Sequence, residues 1–112
     1  MPGLAPQSVR TFFVTTNTWG RRSLFQPERM ASLLIDVLAD NRKRGRFWLH
    51  EFVIMPDHIH VLLTPAFEIP LERAVQFIKG GYYAAHRSYI HENPAARKGL
   101  RADYPLLCAR DV

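Results

Sequence analysis

His58 and His60 flank Ile59 in the run Phe52-Val-Ile-Met-Pro-Asp-His-Ile-His-Val-Leu-Leu-Thr64. Neutral imidazole is a good ligand for divalent metals. Side chains on a strand alternate between faces, so His58 and His60 point one way while Ile59, Val61 and Leu63 point the other. Two same-side imidazoles on a stiff element make half of a divalent metal site. Histidines at alternate strand positions also serve as ordinary polar-face residues, and the triplet alone favours that reading. The preceding Pro56-Asp57 shifts the balance. It is a turn signal, so the pair opens a strand, where functional groups sit on a rigid base beside a loop.

Catalysis at such a site needs a nucleophile. The best candidate is Tyr89 in His86-Arg-Ser-Tyr89-Ile-His-Glu-Asn93-Pro94. Tyr89 and Asn93 are four residues apart and share a face if the segment is helical. Asn93 offers a carbonyl oxygen, a suitable third ligand for a hard cation. It also precedes proline, where a residue resists the helical conformation, so taken alone it reads better as a helix-ending residue, and Tyr89 alone as a half-buried packing residue. The tyrosine, the asparagine and the histidine pair gain weight only together. His86, three residues before Tyr89, is placed to assist proton transfer. His50 and His91 read as surface or packing residues.

The elements that must position these groups follow from periodicity. Thr11–Thr16 is β-branched and aromatic and predicts a strand. A basic connection with Trp19, Arg21 and Arg22 leads to a helix from Pro27, with Met30, Leu33, Leu34, Val37 and Leu38 as its apolar stripe. Asn41-Arg-Lys-Arg-Gly45 suits its end, with basic side chains and then a glycine. Residues 47–55 and 58–64 read as two strands joined at Pro56-Asp57. Residues 71–79 read as a second helix with Leu71, Ala74, Val75 and Ile78 on one side, interrupted at Gly80-Gly81, and residues 82–92 as a further helix. The order predicts an α+β fold, a ferredoxin-like antiparallel sheet with helices on one face. That fold closes with a strand after the second helix, and no such strand is legible, so the sheet is expected to be one strand short.

The chain has 112 residues, 47% of them hydrophobic, which fits a single globular domain rather than a disordered one. Residues 1–9 read as a loose arm and 95–112 as an irregular tail. Fifteen Lys and Arg against ten Asp and Glu give a formal charge of +5, which favours an acidic partner, nucleic acid first and an anionic membrane surface second. Cys108 is the single cysteine, so no internal disulfide and no Cys-x-x-Cys metal knuckle exist. With no secretory leader or membrane-length apolar run, these features predict a cytoplasmic protein with no membrane partner. Arg42, Lys43, Arg44 and Arg46 form a basic run that reads equally as a solvated helix end or as a DNA-backbone contact.

Taken together, Thr11-Phe-Phe-Val-Thr, Met55-Pro-Asp-His-Ile-His-Val-Leu62, Lys79-Gly-Gly81 and Tyr89-Ile90-x-x-Asn93-Pro94 resemble the single-tyrosine transposases of the His-hydrophobic-His class. These are the IS200-like group, and the closest resemblance is to its REP-associated tyrosine transposase branch. It covers most of residues 10–105. The resemblance implies His58 and His60 as ligands of Mg2+ or Mn2+, Asn93 as a third ligand, and Tyr89 as nucleophile. It implies cleavage of single-stranded or hairpin DNA through a 5′-phosphotyrosine, leaving a free 3′-hydroxyl. Arg21, Arg22 and the 42–46 run would track the DNA backbone, with Trp19 or Trp48 stacking on bases. The family places a sizeable segment, including a strand, between its Lys-Gly-Gly helix and its tyrosine helix. Here Gly80-Gly81 runs almost directly into Tyr82-Tyr83. Such a shortening leaves an open sheet edge and could keep Tyr89 from the histidine face, unless a homodimer lets one chain's tyrosine serve the other's histidines. A degenerate relative that binds DNA without cutting it is the alternative.

Overall fold

β-Branched and aromatic residues carry the chain into β1 (Phe12–Asn17), and a 3-10 turn over Trp19–Arg21 follows. The computed structural model describes residues 10–92 and 107. The arm at 1–9, Asn93, Cys108 and the tail from 95 (Leu107 apart) lie outside the described residues. After the turn come α1 (Glu28–Lys43), β2 (Phe47–Met55), β3 (His58–Pro65) and α2 (Leu71–Glu92). The described strands form one antiparallel sheet in the order β1-β3-β2. β1 and β2 both run against the central β3, so they are parallel to each other, and α1 makes the crossover between them. This is the α+β, ferredoxin-like arrangement, with three strands among the described residues. An isolated bridge joins Thr18 to Leu107.

The period of two on β3 decides which face is covered. Ile59, Val61 and Leu63 are buried against Leu34 and Leu38 of α1 and Ala74, Ile78 and Tyr82 of α2. His58, His60 and Leu62 point to the other, uncovered face, where they lie opposite Asn17, Thr15 and Phe13 of β1. On β2 a bulge at His50 shifts the register between Leu49 and Glu51. Glu51, Val53 and Met55 therefore share the histidine face. Burying a core leucine such as Leu63 contributes about 2–5 kcal/mol relative to alanine.

Pro27 caps the start of α1, and just past its end Gly45 has a φ of 76°, the left-handed position that closes a helix. Its buried side is Met30, Leu34, Val37, Leu38 and Asn41, close to the stripe expected from spacing. α2 departs from expectation. The glycines do not interrupt it, and it runs unbroken for 22 residues. Each interior glycine costs about 1 kcal/mol relative to alanine. Against that, the buried stripe Ala74, Ile78, Tyr82, His86 and Ile90 continues across the pair at intervals of four. Gly81 also lets α1 come close, since a Cβ there would lie 2.9 Å from Val37 Cγ1. No described helix is long and apolar enough to cross a membrane.

Candidate functional site

The histidines are presented by the turn Pro56-Asp57, and the β1–α1 connection fastens that turn. The Thr18 amide donates to the Asp57 carbonyl at 2.9 Å, the Thr18 hydroxyl donates to the Arg22 carbonyl at 2.6 Å and lies 3.1 Å from the same Asp57 oxygen, and the Phe25 amide donates to the Pro56 carbonyl at 3.0 Å. The Asp57 side chain divides its oxygens. Oδ2 accepts from Arg21 Nε at 3.1 Å and lies 3.0 Å from Nη2, while Oδ1 meets His58 Nδ1 at 2.7 Å. His58, and next Arg21, hold the Asp57 carboxyl below its ordinary value. Gly20 and Arg21 are both left-handed, with φ of 66° and 56°. For Arg21 that conformation costs roughly 1–2 kcal/mol, offset in part by its pairing with Asp57.

This geometry sets the chemistry of the imidazoles. A carboxylate only accepts, so His58 carries its proton on Nδ1 and keeps the Nε2 lone pair for another partner. A carboxylate behind a histidine also orients the ring and raises its basicity as a ligand. His60 Nδ1 lies 2.9 Å from Thr15 Oγ1 on the adjacent strand. The two rings meet edge to face with centroids 4.8 Å apart, and the exposed Phe13 stacks on His60 at 5.2 Å. Neither Nε2 has a hydrogen-bond partner among the described residues. The donor set thus fits two ligands of a divalent cation. The described residues contain no cluster of three His, Cys, Asp or Glu able to hold one. The third ligand expected from the sequence, Asn93, lies outside them.

Tyr89 is in the other layer. It is half-buried on α2 and faces the start of α1, in a cleft of about 890 Å³ whose walls include Arg22, Ser23, Glu28, Arg29 and Ser32. The guanidinium of Arg29 donates from Nη1 to Tyr89 Oη at 2.6 Å and lies 5.7 Å from the ring centroid. That bond raises the Arg29 pKa further above its ordinary value. A single chain therefore sets the phenol in the helical layer and the imidazoles on the opposite face of the sheet. The unbroken α2 is the cause, because it keeps Tyr89 on the same straight element as Ala74.

The remaining candidates divide by position. Trp19, Arg21 and Arg22 lie at the histidine end, and Trp19 is exposed. Arg42, Lys43, Arg44 and Arg46 lie at the far end, where Phe47 pairs with Pro65. The length of β3, roughly 20 Å, separates them from His58. Arg46 packs into the fold, donating to Asn41 Oδ1 at 2.8 Å and covering the Phe77 ring at 4.0 Å, and Arg44 pairs with Asp40 at 2.9 Å. Arg42 and Lys43 are exposed. His86 is fully buried beside Tyr82, with neither ring nitrogen hydrogen-bonded among the described residues. Desolvation by burial, and next Arg22, lowers its pKa. His50 is the bulge residue, with Nε2 2.8 Å from Thr64 Oγ1. Phe13, Thr15 and Arg29 escaped sequence reasoning. Alternation along β1 could have placed the first two on the histidine face. Nothing in the sequence links Arg29 to Tyr89, sixty residues away.

The family described as transposase IS200-like matches residues 9–100. No curated protein matches the chain. The fold is similar to that of a candidate transposase of Deinococcus radiodurans R1, with a TM-score of 0.61 and 22% identity, over 85% of this chain and 72% of that one. It is also similar to a REP-associated tyrosine transposase bound to a REP hairpin, with a TM-score of 0.61 and 19% identity. That match covers 98% of this chain, which spans 59% of the other.

Proposed function

The chain belongs to the IS200-like transposase family, and from that premise we propose that it cleaves and rejoins single-stranded or hairpin DNA through Tyr89, at a metal site begun by His58 and His60. The observation that carries this reading is the imidazole pair on one open face: Asp57 holds His58 through Nδ1, which leaves its Nε2 for a ligand, and His60 Nδ1 meets the Thr15 hydroxyl beside it. Asn93 is the proposed third ligand, and Mg2+ or Mn2+ the proposed ion. When bound by these residues, such an ion would withdraw charge from the scissile phosphate and orient it. Tyr89 loses its proton to solvent and its oxygen bonds to phosphorus. The bond from phosphorus to the 3′ oxygen breaks, and that oxygen leaves with the electron pair and takes a proton from water. The 5′-phosphotyrosine conserves the bond energy, so the strand can be rejoined without ATP. The exposed Trp19 and Arg21 lie at the histidine end of the sheet and suit a strand entering there, with the half-buried Arg22 beside them lining the Tyr89 cleft. A structural relative bound to a REP hairpin supports DNA as the partner.

Because one chain sets Tyr89 and the histidines in different layers, the productive site is assembled between two chains, the tyrosine of one serving the histidines of the other. The same separation favours a second reading, a protein that grips DNA without cutting it. Mixing decides between them. Tyr89→Phe and His58→Ala/His60→Ala chains are each incubated with labelled single-stranded hairpin DNA and Mg2+ or Mn2+, then together, and denatured adducts are counted. An adduct only in the mixture is the expected result. Salt-sensitive DNA binding with no adduct from folded wild-type protein would establish the binding-only reading.

A further inference from the structure

We propose that Arg29 is a positioning residue for the nucleophile: it travels with Tyr89 on the same chain and fixes the phenolic oxygen for attack. This rests on the reading of Tyr89 above. Three observations carry it. The Arg29–Tyr89 bond is short, 2.6 Å, and joins residues on two different helices. The guanidinium also approaches the ring, at 5.7 Å from its centroid, so both the polar and the apolar part of the tyrosine meet the arginine. Arg29 is itself exposed at the edge of an open cleft, where it does not serve the core.

The direction of the bond matters. Arginine has donors and no acceptor, so Tyr89 oxygen is the acceptor and its own proton is not used in this contact. When that proton passes to solvent, the bond becomes one between two charges and strengthens. Arg29 neither takes the proton nor touches the metal site. It holds the oxygen still and favours the charge that the oxygen acquires as the bond to phosphorus forms. Tyr82 shows the contrast within one helix. Its hydroxyl donates to the Met30 carbonyl at 3.2 Å in the core, and burial pushes its pKa up.

The test uses the two-chain mixture with labelled hairpin DNA. One chain, His58→Ala/His60→Ala, supplies the tyrosine, and the other, Tyr89→Phe, supplies the histidines. Arg29→Gln placed on the tyrosine-supplying chain slows adduct formation by about 10- to 100-fold, the loss of one charge-assisted hydrogen bond. The same substitution on the histidine-supplying chain leaves the rate unchanged, and DNA affinity is unchanged in both. Arg29→Lys, or millimolar guanidinium added to Arg29→Gln, recovers rate. A second readout needs neither metal nor DNA: in the 3-fluorotyrosine-labelled chain, Arg29→Gln moves the Tyr89 fluorine resonance. Equal slowing from either chain, or an unmoved resonance, would overturn the proposal while leaving Tyr89 in place. A mixture that forms no adduct without any Arg29 change would overturn the two-chain reading, and this proposal with it.

Discussion

The turn that presents His58 and the cleft that holds Tyr89 are built in opposite ways. Pro56-Asp57 is tied through backbone amides, a hydroxyl, a guanidinium and an imidazole, all from elements that also build the core. Tyr89 sits at an open cleft, where an exposed arginine meets its oxygen near the last described turn of α2. The imidazole pair proposed to bind a metal is thus fixed from several core-building elements, and the proposed nucleophile stands at an open surface.

The comparison can be broken first at its stiff end. His60→Ala should reduce metal-dependent adduct formation on the order of 100- to 1000-fold while the fold survives, checked by circular dichroism and trapping. Next, Asp57→Asn should weaken metal binding by about 10- to 100-fold, measured by calorimetry, because His58 loses the carboxylate that orients it. The lowered Asp57 pKa adds an acid signature. Its contribution to stability is complete above the ordinary carboxylate value of 3.8 and is lost as pH falls through the depressed folded value. An Asp57→Asn chain with unchanged acid unfolding would remove the carboxylate from the argument.

Smaller effects sharpen the helical side. Gly81→Ala should destabilise by about 1–3 kcal/mol in urea unfolding, since its methyl would meet Val37. Gly80→Ala, with open space around it, should stabilise by about 1 kcal/mol. Equal effects at the two positions would mean that α1 and α2 do not approach as described. The slightest signal is His86. Its folded pKa is depressed, so its contribution to stability is present above the ordinary histidine value of 6.5 and is lost as pH falls below it. His86→Leu should flatten the change in urea midpoint between about pH 7.5 and about pH 5.5.

Much of this was legible in the residues. The strand over 47–55, the helix from Pro27 and the same-face histidines all follow from local periodicity and turn chemistry, which act over a few residues. What was not legible depends on contacts between distant segments. Gly80-Gly81 reads as a break because intrinsic propensity is all a single segment offers, whereas Val37 supplies the reason to continue. Arg46 reads equally as part of a solvated helix end or as a DNA contact, because its packing against Asn41 and Phe77 exists only in the folded chain. The bulge at His50 reverses the alternation of β2, so no single period could have put Val53 opposite His60.

β1 has no strand on its outer side among the described residues, apart from the Thr18–Leu107 bridge. The edge of a sheet can template the addition of another chain. Encounters between identical chains rise with the square of their number. If the proposed two-chain assembly forms through that edge and cuts DNA as proposed, gene dosage and expression noise become inputs to that cutting: a cell making few copies would hold single chains without it, and a burst of synthesis would release it.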